Sequence, residues 1–216
     1  LNSGIPISTG LGNQSYPRVT YYNEEVSVIV WEDDRSGIDD IYAQFINMDG
    51  SLVFNEDLLV CSASDRQYKP RVKANSEGAF VIWSDRRDAN FIDDNNHIYM
   101  QKITPDGLEW EQGMGIGIDS DDVAFGVNHK EPRLSLDGIG GAYIVWESNM
   151  NDEFYDIHLE QISSNGVLSF NNNGLTITSG NKTQEAPVVR PDFNGGAFIL
   201  WGDYRTGSPG VYLQHI

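Results

Sequence analysis

The 216-residue chain has one cysteine, Cys61, so it carries no internal disulfide and no cysteine-cluster metal site. Cys61 lies in the apolar run Leu58-Leu59-Val60-Cys61 and reads as a buried, inert thiol. Basic residues are scarce: 14 Lys and Arg stand against 32 Asp and Glu, a net charge of −18. That balance excludes a nucleic-acid backbone or an anionic membrane surface as partner. No run approaches the roughly 18 apolar residues of a membrane span, and no segment keeps a helical period. The chain opens at Leu1 without a charged-then-apolar leader, which reads as a processed or trimmed product. G-x-S-x-G, H-E-x-x-H, P-loop and Asp-box patterns are missing. The four histidines, His97, His129, His158 and His215, show no ligand spacing. What is present is 22 glycines, eight prolines and enough apolar and aromatic residues (39% and 11%) for one sizeable core.

Self-comparison gives the strongest signal. Four apolar runs end in tryptophan, at Trp31, Trp83, Trp146 and Trp201. Upstream of each lies a proline-led segment: Pro17-Arg18-Val19, Pro70-Arg71-Val72, Pro132-Arg133-Leu134 and Pro187-Val188-Val189. Downstream lie Ile41-Tyr42-Ala43-Gln44, Ile98-Tyr99-Met100-Gln101, Ile157-His158-Leu159-Glu160 and Val211-Tyr212-Leu213-Gln214. The first three are followed by Asp49-Gly50, Asp106-Gly107 or Asn165-Gly166, which fit tight hairpin turns.

Each unit therefore predicts four short antiparallel strands: a led by proline, b ending in tryptophan, c carrying the Ile-Tyr segment, and d after the turn. Such units, repeated about every 50 to 60 residues, predict an all-β, four-bladed β-propeller in one domain over 1–216. The blades fall at about 17–69, 70–131, 132–186, and 187–216 joined by 1–16. The last unit stops after strand c. Leu1 to Ser8 reads like a strand d, so the N-terminal strand is expected to close the ring by pairing with Val211–Gln214. An excerpt from a longer array is the alternative.

The text Trp31-Glu32-Asp33-Asp34-Arg35-Ser36-Gly37 through Asp40-Ile41-Tyr42-Ala43-Gln44 resembles repeats of secreted bacterial surface proteins and is similar to TolB-type propeller repeats. The resemblance covers all four units. It implies an extracytoplasmic, secreted or cell-surface protein that binds a partner, and it transfers no catalytic residue. Unit three departs from the motif, with Ser148 in place of the Asp and Met150 in place of the Arg.

The tryptophans fill the space between blades in this reading. Asp33/Arg35, Asp85/Arg87 and Asp203/Arg205 recur too symmetrically for catalysis and are expected to brace the b–c loops. Function is expected on the face carrying the long connections, two of which stand out: 88–97 and 113–130. Asp88, Asp93, Asp94, His97, Asp121, Asp122 and His129 form the candidate ligand face. Asp93, Asp94, Asp121 and Asp122 form a candidate Ca²⁺ site, since that cation takes six to eight oxygens. A solvated acidic loop is the alternative. The sequons Asn13-Gln14-Ser15 and Asn181-Lys182-Thr183 read as plain loop residues.

The composite expectation is a non-enzymatic extracellular binding or scaffold module, a monomer or part of a larger chain, with a glycan, protein or peptide ligand. A glycoside hydrolase is the alternative, and a structural spacer is a third reading.

Overall fold

The computed structural model describes residues 4–87, 95–110, 114–119, 127–149, 154–170 and 173–216. They form β-strands, with no helix among them. Unit one is β1(Gln14–Tyr21), β2(Val26–Asp33), β3(Asp40–Asn47) and β4(Leu58–Cys61). Unit two is β5(Gln67–Asn75), β6(Gly78–Asp85), β7(His97–Thr104), β8(Gly107–Leu108) and β9(Ile116–Gly117). Unit three is β10(His129–Leu136), β11(Ala142–Ser148), β12(Asp156–Ile162) and β13(Leu175–Thr178). Unit four is β14(Gln184–Pro191), β15(Ala197–Asp203) and β16(Gly210–His215). Each unit is one antiparallel sheet with its strands in chain order; in unit two both β8 and β9 pair with β7.

The b strands of units two and three, β6 and β11, are buried along their whole length because both of their faces are covered. Ala79, Val81 and Trp83 of β6 pack toward unit one, while Phe80 and Ile82 pack toward unit three. Trp146 likewise faces unit two, and Trp201 faces unit three. Gly174, at φ +66°, lies where a Cβ would fall 2.4 Å from the Trp146 ring, so glycine is required there on two counts.

Every unit carries the same irregularity in its first strand. Tyr16, Lys69, Glu131 and Ala186 have φ of 49°, 53°, 52° and 53°. Each precedes a proline, and each sits where the register with the second strand slips. This is a β-bulge in a backbone region that side chains seldom adopt. Carboxylates of the preceding unit hold two of the four: Glu32 accepts the Lys69 N–H, and Glu147 accepts the Ala186 N–H at 2.8 Å.

Ring closure differs from expectation. Three hydrophobic clusters join units one and two, two and three, and three and four; none joins four to one among the described residues. Ile5–Ser8 does not pair with β16, whose Val211 and Leu213 remain 82% and 57% exposed. The N-terminal segment lies on unit one instead. Ser8 Oγ donates to Asp57 at 2.7 Å and accepts from Arg35 at 2.9 Å, and Ile7 and Ser8 share a recess with Trp31. The segment's polar side chains find their partners locally, so its strand-like text does not send it to the far edge.

Candidate functional site

The four first strands line a common central channel, a cavity of about 280 Å³. Arg18, Arg71, Lys73, Arg133 and Arg190 line it, five of the 14 basic residues of this acidic chain. Burial and the neighbouring Arg133 charge push the Arg71 guanidinium below its usual range.

Each bulge residue lies two positions before a residue that lines this cavity: Arg18, Arg71, Arg133 or Val188. One backbone geometry presents four different side chains: exposed Tyr16, Lys69 and Ala186, and half-buried Glu131. Glu131 is held by Arg133 at 2.9 Å, Arg71 at 3.4 Å and Lys69 at 3.7 Å. Its burial would raise the carboxyl's pKa, but these cations outweigh it and hold it below the usual range. Glu147, on the neighbouring strand of the same sheet, goes the other way. Burial holds its carboxyl above the usual range, and the Glu131 charge adds to that, against the Ala186 N–H and Lys130. Glu131 is thus a clamped carboxylate within electrostatic reach of a buried carboxyl group of opposite tendency, Glu147.

The recurrent Trp-x-Asp-x-Arg residues form three braces. Trp31 donates to Asp33 at 3.1 Å, Trp83 to Asp85 at 2.8 Å and Trp201 to Asp203 at 2.9 Å. The paired arginines bind the same carboxylates and lie over the ring of the next strand: Arg35 on Tyr42, Arg87 on Tyr99 and Arg205 on Tyr212. Cys61 is buried, and burial pushes its thiol up to about 11, out of reach of ordinary nucleophilic chemistry.

Of the sequence-derived ligand residues, the structure brings His97 and His129 together, against Asp119. Sequence spacing concealed this pair, because the two lie on β7 and β10 in different sheets. Asp88, Asp93, Asp94, Asp121 and Asp122, including the four proposed Ca²⁺ ligands, lie outside the described residues. Sequence reasoning missed Glu131, Glu147, Tyr16 and the channel arginines as site residues. The usable signal was the column preceding each proline, where four repeats carry Tyr, Lys, Glu and Ala.

No protein-family model matches the chain, and no curated protein does. Solved structures do. An endo-arabinase from Bacteroides thetaiotaomicron aligns over 99% of this chain and 79% of its own, with 15% identity and a TM-score of 0.52. An α-L-arabinanase from Penicillium chrysogenum aligns over 91% of this chain and 63% of its own (14% identity, TM-score 0.51). The fold is a β-propeller. An α-L-arabinofuranosidase from Fusarium graminearum aligns over 93% of this chain and 64% of its own (12% identity, TM-score 0.50). All three neighbours are glycoside-cleaving enzymes by name. This finding overturns the expected non-enzymatic binding or scaffold module in favour of the glycoside hydrolase alternative. At such identities the likeness itself speaks for the propeller alone.

Proposed function

We propose that this four-unit propeller is a glycoside hydrolase, acting outside the cytoplasm on an arabinose-containing polysaccharide at the mouth of its central channel. The supporting observation is the break in repeat symmetry at the bulges. A structural position would carry one residue type four times, whereas this one carries Tyr16, Lys69, Glu131 and Ala186. Tyr16 supplies a face on which a sugar ring stacks. Ala186 leaves room for it. Glu131, clamped by three cations, is the ionised carboxylate that activates water or stabilises the oxocarbenium-like transition state. Glu147, whose proton is held by burial, is assigned as the acid that protonates the leaving oxygen. The fold shared with an endo-arabinase and an α-L-arabinanase makes arabinan the first substrate to test.

The test is reducing-sugar release from arabinan and a panel of other plant polysaccharides. Glu131→Gln and Glu147→Gln should each lower turnover by roughly 100-fold or more. Glu32→Gln is the control, because Glu32 accepts a bulge N–H as Glu147 does but is assigned no role in the reaction. An amide oxygen still accepts that hydrogen bond, so a purely capping Glu147 would tolerate Gln. Activity retained in both channel-mouth variants, or no hydrolysis anywhere in the panel, overturns the reading.

A further inference from the structure

Unit three breaks the repeat at several linked positions. Where units one, two and four have Gln14, Gln67 and Gln184, it has His129. Where they have Tyr42, Tyr99 and Tyr212 opposite the tryptophan, it has His158. Ser148 replaces the brace aspartate. In unit two, His97 stands where unit one has Asp40 and unit three Asp156. Three imidazoles thus enter one junction, between sheets two and three, and Asp119 meets them there.

His97, Asp119 and His129 are all buried, and each offers one donor atom within 4.8 Å of the others. His97 Nδ1 lies 3.6 Å from Asp119 Oδ1, and His129 Nδ1 lies 3.4 Å from Asp119 Oδ2. Two donors at about 2.0–2.1 Å around a tetrahedral ion sit roughly 3.4 Å apart, so the spacing suits one small cation. Asp119 Oδ1 accepts the Ile98 N–H at 2.8 Å, while Oδ2 is fully buried with no hydrogen-bond donor among the described residues. A buried carboxylate oxygen with no donor needs a counter-charge. His158 is oriented as metal-binding histidines are: its Nδ1 faces the Asn173 carbonyl at 3.1 Å and so carries the proton. That leaves a lone pair on Nε2, which is buried and has no hydrogen-bond partner among the described residues, within electrostatic reach of His129 and Asp119.

We propose that His97, Asp119 and His129, with His158 beside them, form a site for a borderline divalent cation of the zinc class, locking sheet two to sheet three. The donor set is mostly imidazole nitrogen, which favours Zn²⁺, Ni²⁺ or Cu²⁺ and disfavours Ca²⁺ and Mg²⁺. Trp146 Nε1 donates to His129 Nδ1 at 3.1 Å, so the ion takes the lone pair that this indole N–H occupies. Loading is therefore read by Trp146 fluorescence as well as by stability.

The experiment uses the full chain, stripped with chelator and titrated with Zn²⁺, with Ca²⁺ and Mg²⁺ as controls. Calorimetry should show one Zn²⁺ per chain, accompanied by a fluorescence change and a rise in melting temperature that the controls do not give. The double variant His129→Gln with Ser148→Asp restores the residues of the other units and gives Trp146 its usual acceptor, so it is expected to fold. Its Zn²⁺ affinity should fall by about a hundredfold or more. Asp119→Asn should weaken binding in the same direction. No stoichiometric binding by the unaltered chain, or equal binding by the double variant, overturns the proposal. The first outcome would leave a proton shared among buried polar groups as the counter-charge to Asp119.

Discussion

At Asp203, burial and hydrogen bonding pull in opposite directions. Burial raises the carboxyl's pKa, but the Arg205 guanidinium, the Trp201 N–H and the Arg205 backbone N–H outweigh it and hold the value down to about 2. A carboxylate with a depressed folded-state pKa contributes stability that is fully present above the unfolded value, here 3.8, and is lost as pH falls toward 2. We expect the melting temperature to drop between about pH 4 and pH 2, and Asp203→Asn to flatten that drop. At neutral pH the same variant should cost about 1–3 kcal/mol, since it weakens charge-assisted bonds to a buried group. An unchanged acid slope in thermal melts would contradict the brace. The sequence supported this role through repetition alone: three copies of one Asp–Arg spacing imply structure. The same logic run backwards marks His129, His158 and Glu131. These positions bring in partners from other units as well, Asp119 for His129 and Lys69 and Arg71 for Glu131, and no spacing along the chain connects those.

The strands were legible as elements because each b run is apolar on both faces and too short for a helix, and the proline and Asn-Gly or Asp-Gly signals bound the others. The bulge before each proline was not legible. A register slip leaves no period in the text, and the prolines that mark it also fit an ordinary strand start. What each face covers was legible only in part, as Phe80 and Phe198 show. They hold the same repeat position, next to Ala79 and Ala197, yet Phe80 is buried in the junction with unit three while Phe198 is 38% exposed. Phe80→Ala should cost about 3–5 kcal/mol, the usual cost of emptying a packed aromatic site, and Phe198→Ala less than half as much. Chemical denaturation of the two variants measures this. Equal losses would mean that unit four also packs against a following unit.

Across the whole molecule, symmetry and its breaks divide structure from chemistry. The four repeats supply a rigid frame around a basic channel in an otherwise acidic protein, and the deviations gather at two places: the channel mouth and the junction of sheets two and three. Closure was the one global feature that sequence counting misjudged, since a short strand-like text does not name its partner, and Ser8 finds Asp57 and Arg35 on unit one. Catalysis at the mouth is the central claim. The most direct measurement is a crystal structure of Glu131→Gln soaked with an arabino-oligosaccharide. We expect the sugar to sit at the channel mouth, stacked on Tyr16 with its reacting linkage facing position 131. A sugar bound on the outer face of a sheet, or none bound at millimolar soaking concentration, would contradict the account.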